Sequence, residues 1–438
     1  MTHDAPALGT VFLIAIGSVV AALLSAEQWL AWLLLGATLI VPLGFSSIRD
    51  DGRLATVVYL VIACHHGMAI LFTYGEFRPI DLWDATYFDT LASWAAEGSK
   101  GSLTWELGYL LYVNVLSGIY DINNAFFTGA EVSVLFAVIG LLLIIQIARE
   151  IKVPDQRLWW VALAGFIPGS LVFFSITYRE SLMTFFLLLS VWAAIRVLRQ
   201  EDRRWWFLFV AALFAMGVLH KAMLLYSLFM VIVTIMFVVF TEQRTLAWWG
   251  KAIGVGAGLV LCVAGVTAWA PLEFGKFLEP TIRLIDVDIL DRITFYRERM
   301  VNWGSPRTDY GLFYDWEDWS RTVATLGSIY LHYLFAPFDG ITRWVDLYAV
   351  AESWMRFALL AVVGVGFLRI PRGERRLLLL LFIVYLSLTL LWSMGTTNYG
   401  QALRHHTMTN WVLFILFTAV VSRTGQVSVG LRRVGRAI

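Results

Sequence analysis

The sequence predicts an all-α polytopic membrane protein of about twelve transmembrane helices, with two large extracytoplasmic loops that contain juxtamembrane helices. Three observations predict it. Hydrophobic residues make up 59% and charged residues 15% of the chain, where a soluble domain holds roughly half and a quarter. The apolar residues gather in runs of about twenty, the length that crosses a bilayer. Many of the Trp and Tyr residues lie near the ends of those runs, as interfacial belts do.

The runs lie at 8–25, 29–46, 55–74, 128–148, 158–177, 181–199, 204–220, 222–240, 248–271, 352–370, 375–394 and 407–422. Short hinges at Glu27, Tyr178–Glu180 and His220–Lys221 join three pairs of them. Segments 104–120 and 321–337 are apolar but interrupted, by Glu106 and Asn114 in one and by Arg321 and His332 in the other. They are read as interfacial or re-entrant helices. The organisation is then two N-terminal spans in 1–54, a transmembrane core in 55–271 with a first external loop at 75–127, a second large loop at 272–351, and C-terminal spans with a basic tail in 352–438. Cys64 and Cys262 lie in apolar runs and read as buried hydrophobes. No basic n-region precedes the first run, so a cleavable signal is not expected.

Orientation follows from Lys and Arg in the short loops. One set carries Arg49, Arg53, Arg149, Lys152, Arg157, Arg199, Arg203, Arg204, Arg244, Lys251, Arg369, Arg372, Arg375 and Arg376, and the tail adds Arg423, Arg432, Arg433 and Arg436. The opposite short loops hold only Arg179, Lys221 and Arg404. The first set is therefore cytoplasmic, both termini are inside, and both large loops face out. Charged groups from four separate pieces of chain converge on the outer face, as a site for an anionic headgroup requires.

In the first large loop, "DATYFDTLASWAAEG" from Asp84 places Ala85, Phe88, Leu91, Ala92 and Ala95 at helical spacing. Asp84 is placed to cap that helix, and Gly98 and Gly101 end it. A second, more apolar helix follows with Tyr109, Tyr112 and Tyr120 along it, then a clear span with a basic edge. This order resembles the GT-C superfamily of membrane glycosyltransferases. Those proteins typically show an acidic residue, two positions and a Tyr just after a span, then a Gly, a second juxtamembrane helix and a span ending in a basic loop. Asp84, Tyr87, Gly98 or Gly101, the 104–120 helix and the 128–148 span match that pattern across roughly residues 55–240. The resemblance implies a polyprenyl-linked sugar donor and gives Asp84 the part of catalytic base or metal-site residue. The common form is an acidic pair; here Trp83 takes the partner position, and Asp81 or Asp89 stands as a substitute. The family's acidic loop follows the first span and this one follows the third, so the first two spans are an N-terminal addition. The plain alternative for Asp84 is a helix cap in a solvated loop.

The hinges add cations. Arg179 and Glu180 open one span, where a surface ion pair with a snorkelling Arg is the competing reading. His220 and Lys221 stand at the next outer hinge. The Arg179-to-His220 spacing resembles bacterial exopolysaccharide and O-antigen repeat-unit polymerases; the alternative is a His satisfied by neighbouring backbone. In the second loop Arg292, Tyr296 and Arg299 share a helical face and Arg297 lies beside them. That face suits phosphates, or else is a solvated helix whose Asp286, Asp288, Asp291 and Glu298 pair with the arginines. Arg404, His405 and His406 open the last span. The glycosyltransferase resemblance puts an Arg there against the lipid phosphate, with His405 in the usual place of a Tyr. A cation near a helix N-terminus is disfavoured by the dipole, which favours a specific anion partner for Arg404. Adjacent His65 and His66 lie mid-span and are expected to bond to neighbouring helices.

The sequence therefore points to catalytic Asp84, Asp89 and His220, and to substrate-binding Tyr87, Arg179, Lys221, Arg292, Arg297, Arg299, Arg404 and His405. No metal ligand is assigned; a divalent Mg or Mn ion is compatible with the resemblance. The expected activity is transfer of sugar or glycan units from a polyprenyl-phosphate or polyprenyl-diphosphate donor at the outer face of a bacterial inner membrane, in cell-surface polysaccharide or glycoconjugate synthesis. The expected partners are the lipid-linked glycan, the bilayer and other polysaccharide-assembly proteins, and no nucleic acid. The competing class is a lipid-linked-oligosaccharide flippase or other secondary transporter. Transporters place charge near the midplane and often show internal repeats; here the polar groups gather at one rim.

Overall fold

A computed structural model gives the architecture and describes residues 5–25, 27–75, 83–98, 109–199, 202–241, 318–337, 344–371 and 374–434. Among them the regular structure is helical, with no strand. The helices are α1 (Ala5–Leu24), α2 (Trp29–Ile40), α3 (Gly52–Tyr74), α4 (Trp83–Ala96), α5 (Tyr109–Tyr120), α6 (Phe126–Glu150), α7 (Glu180–Leu198), α8 (Arg204–Leu219), α9 (Lys221–Thr241), α10 (Trp319–Phe335), α11 (Trp344–Arg369), α12 (Arg376–Gly395) and α13 (Tyr399–Val434). Five of the described helices are long and apolar enough to cross a membrane: α3, α6, α7, α11 and α12. Shorter apolar helices occupy four of the other expected spans, α1, α2, α8 and α9, and α5 lies where the interfacial helix at 104–120 is expected. The expected span at 248–271 and most of the second large loop lie outside the described residues.

Helices α6 and α7 form the centre. In each, 72% of the apolar stretch is buried, against 39% in α3 and 33% in α11. Hydrocarbon offers no hydrophobic drive between helices, so such contacts rest on close packing and on polar bonds across helices. The last helix, α13, lies against this centre. Its fully buried Trp411 packs edge-on to Phe174 and donates from Nε1 to Ser170 Oγ at 2.9 Å.

Polar contacts show which helix ends lie together. Glu150, the last residue of α6, takes Arg196 and Arg199 from the end of α7. Arg157 donates to the Val421 carbonyl at 3.1 Å, Arg423 pairs with Glu374 at 3.4 Å, and Arg376 donates to the Phe237 carbonyl at 3.2 Å. One end of the bundle is thus rich in arginine. At the other end meet the N-termini of α7, α9 and α13 and the C-termini of α8 and α12, through the contacts described below.

Three expectations are corrected. Residues 158–177 form no continuous helix: helical pieces Leu158–Ala162, Leu163–Phe166 and Pro168–Phe173 follow one another, then irregular chain up to α7. Pro168 lacks an N–H and forces Ile167 out of helical geometry, to φ −57° and ψ 128°. Gly165 lies so near α3 that a Cβ there would fall 2.4 Å from Val61 Cγ1. The second correction concerns charge, which is not confined to one rim. Glu352 and Arg356 of α11 are each 1% exposed and pair at 3.6 Å, and Asn410 of α13 bonds to both, at 3.4 and 3.3 Å. Glu352 also accepts the backbone N–H of Gly169, and Arg356 donates to the Leu334 carbonyl. Lastly, Cys64 is exposed on the side of α3 rather than buried. Of the His pair, His65 bonds to Ser175, in the irregular chain before α7, at 2.9 Å, and His66 bonds to Thr38 of α2 at 2.7 Å and lies 2.8 Å from Glu131 of α6.

Candidate functional site

Helices α4 and α5 build one wall of the site. Phe88 stands edge-on to Tyr112 of α5 at 5.6 Å and to Tyr178 at 6.0 Å. Asp89 Oδ1 accepts the Tyr120 hydroxyl, and Ser93 donates to Asn124 at 2.8 Å. These contacts fix the start of α4 over the hinge that precedes α7. Asp84 lies within the first turn of α4 rather than before it. It accepts Arg404 Nη1 on Oδ2, so its partner is a cation from the far end of the sequence and not its own helix terminus.

Arg404 lies in the second turn of α13 and is held on three sides. Its Nε donates to Glu180 Oε1, its Nη1 to Asp84, and its guanidinium sits over the Tyr178 ring at 4.4 Å. Each is a strong type of contact for a planar guanidinium. Glu180 is the first residue of α7, where the helix dipole favours a carboxylate. The side chains of Glu180, Arg404 and Asp84 are 2%, 15% and 43% exposed. Of the two carboxylates, Asp84 is therefore the one a solute can reach.

The second wall is the His220 hinge. Arg179 donates to the Leu219 carbonyl at 3.3 Å, which ties the start of α7 to the end of α8. His220 is extended, with φ −154°, and its Nδ1 accepts the Ala222 N–H at 3.2 Å. Trp392, from the end of α12, stacks flat on His405 at 3.9 Å and meets the edge of His220 at 4.8 Å. Burial holds the His220 imidazole well below its usual range, and the nearby charges of Arg179, His405 and Arg404 push it the same way. For Asp89, burial pushes the carboxyl up and the Tyr120 hydrogen bond pulls it partly back.

The structure thus brings Asp84, Arg179, His220, Arg404 and His405 to one end of the bundle. Tyr87, one turn beyond Asp84, is 39% exposed there. Asp89 is on the same helix but bonded to Tyr120. Lys221 begins α9 and its side chain is not described. Arg292, Arg297 and Arg299 lie outside the described residues, as does Asp81. Three site residues escaped the sequence reading. Glu180, for which an ion pair with the adjacent Arg179 is the competing reading, binds Arg404. Tyr178 and Trp392 read as interfacial aromatics but serve as the surfaces on which Arg404 and His405 rest.

A divalent cation does not fit this donor set. Asp84 and Glu180 share one guanidinium, and among the described residues no three His, Cys, Asp or Glu side chains converge to hold an ion.

The family described as dolichyl-phosphate-mannose-protein mannosyltransferase matches residues 114–269, about a third of the chain. The match begins inside α5 and includes Arg179, Glu180 and His220, while Asp84 and Arg404 lie outside it. No curated protein matches the chain. By that match, residues 114–269 are similar to a family of the GT-C superfamily of membrane glycosyltransferases.

Proposed function

We propose that the chain transfers a sugar or glycan unit from a polyprenyl-phosphate or polyprenyl-diphosphate donor to an acceptor hydroxyl at the extracytoplasmic face of a bacterial cytoplasmic membrane. The observation that carries this reading is the convergence of Asp84, Glu180 and Arg404 from three distant parts of the chain at the end of the bundle opposite the arginine-rich one. Taking the arginine-rich end as cytoplasmic sets the site outside. The family match supports the transferase class.

The chemistry follows from the contacts. The donor phosphate takes Arg404 Nη1 in place of Asp84, since an arginine fork suits phosphate oxygens as well as carboxylate. Arg179 adds a second cation. Asp84, released, accepts the proton of the acceptor hydroxyl as its oxygen bonds to the anomeric carbon. The bond from that carbon to the phosphate oxygen breaks, and the electron pair leaves on the phosphate beside the arginines. Glu180 stays on Arg404 Nε and keeps the guanidinium aimed. Asp89 fixes α4 through Tyr120, and Tyr87 lines the approach to Asp84. Lys221, His405, Arg292, Arg297 and Arg299 are proposed as further donor contacts.

The test is sugar transfer by the purified protein in lipid nanodiscs supplied with a polyprenyl-phosphate-linked sugar. The wild type is expected to release polyprenyl phosphate, Asp84→Asn to release it about a hundredfold or more slowly, and Arg404→Ala to abolish release. Full turnover by both variants would reject the assignment.

A further inference from the structure

We propose that His220 serves this site as a neutral hydrogen-bond donor, offering its Nε2–H to a phosphate oxygen of the lipid, and not as a proton acceptor. The phosphate assignment rests on the donor reading above; the donor character of the ring rests on geometry alone.

A neutral imidazole has one N–H and one lone pair, and the partner of one nitrogen fixes the state of the other. Here Nδ1 accepts the backbone N–H of Ala222 at 3.2 Å, within the first turn of α9. The lone pair is therefore committed, and the ring proton is on Nε2. An imidazolium would lose this bond, because both of its nitrogens donate. The two ring nitrogens point in diverging directions, so Nε2 is turned away from the turn that Nδ1 serves. His220 as a residue is half-buried.

What surrounds the ring decides what Nε2–H meets. Trp392 stands against it at 4.8 Å and offers no acceptor on its indole nitrogen. Arg179 and Arg404 are the cations whose fields reach it, and guanidinium groups only donate; the third group that reaches it, His405, lies flat against Trp392. A donor beside two cations suits a ligand with several acceptor oxygens and negative charge. A phosphate ester answers that description.

Two variants separate the roles, because each keeps one half of the ring. Gln places an amide N–H near the Nε2 position; Asn places an oxygen near the Nδ1 position. The probe is polyprenyl monophosphate bound by the full chain in nanodiscs, with inorganic phosphate as a second arm. His220→Gln is expected to bind the lipid phosphate within about threefold of wild type. His220→Asn is expected to bind it about ten- to a hundredfold more weakly, the range of one hydrogen bond to a charged group. The opposite order, with Asn binding well and Gln poorly, overturns the proposal in favour of a helix cap. Equal binding by all three proteins with turnover lost in both variants overturns it in favour of a base. A split seen with inorganic phosphate but not with the lipid overturns the lipid assignment, as does a wild type that binds no polyprenyl phosphate. If the wild type shows no sugar transfer yet the binding split holds, the transferase reading fails and the role of His220 stands.

Discussion

Arg404 and Glu180 form an ion pair that joins the second turn of α13 to the first turn of α7 across the end of the bundle. The carboxylate is almost wholly buried, so removal of Arg404 strands it, and removal of Glu180 leaves a mostly buried guanidinium with only the more exposed Asp84 as counter-charge. Loss of one member of a buried pair costs about 3–5 kcal/mol. Glu180→Ala is therefore expected to lower the thermal midpoint of the detergent-solubilised protein by several degrees. Arg404→Lys keeps the charge but has a single ammonium for two carboxylates and no flat face for Tyr178. Its expected loss of transfer is tenfold or more, measured as release of polyprenyl phosphate.

Asp84→Asn separates proton transfer from binding. General-base contributions are about 10²–10⁴-fold, and a fall of kcat in that range is expected. The amide no longer competes as an anion for Arg404, so KM for the lipid-linked donor is expected to stay level or fall. A rise in KM with unchanged kcat would assign Asp84 to donor binding instead.

Asp89→Asn tests a structural role. Its carboxyl is pushed above the usual range, chiefly by burial. A group raised in the folded state adds stability below its unfolded value and loses that contribution as pH rises through its folded value. Neutral pH is thus the unfavourable side for Asp89. The Asn oxygen still accepts the Tyr120 hydroxyl. The variant is expected to match or exceed wild-type thermal stability at pH 7 and to show a flatter dependence of stability as pH rises above the ordinary carboxylate range, the direction set by a carboxyl shifted upward.

The Glu352–Arg356 pair supplies a test away from the site. Arg356→Met leaves Glu352 facing Gly169 and Asn410 without its cation, and destabilisation of about 3–5 kcal/mol is expected. Adding Glu352→Gln removes the orphaned charge and is expected to recover a large part of that loss. Thermal unfolding of the two variants, followed by tryptophan fluorescence, makes the comparison.

Much of this arrangement is legible in the sequence because helices have ends. The hinges at Tyr178–Glu180 and His220–Lys221 and the polar start of α13 are read from hydropathy, and the charge bias aligns them. Asp84 is legible through the helical spacing of Ala85, Phe88, Leu91 and Ala92. Partner choice is not legible. Glu180 sits beside Arg179 in the chain yet binds a guanidinium 224 positions later, and periodicity carries no information at that range. The broken segment was signalled by "GFIPG" (165–169), where two glycines flank a proline, but its apolar content concealed the break. The buried Glu352 read as the edge of a span because its neighbour Arg356 and the Gly169 N–H are visible only in three dimensions.

The bond between Glu352 and the Gly169 backbone bears on how the chain is made. The interrupted segment at 158–173 leaves the ribosome long before α11. A peptide N–H in hydrocarbon without a partner costs several kcal/mol, and the carboxylate that satisfies this one arrives 183 residues later. Until then the segment has no settled place in the bilayer. Its final seating accordingly waits for α11 and depends on the C-terminal third of the protein. A nascent chain halted before α11 would hold residues 158–173 open to proteases that its completed form excludes.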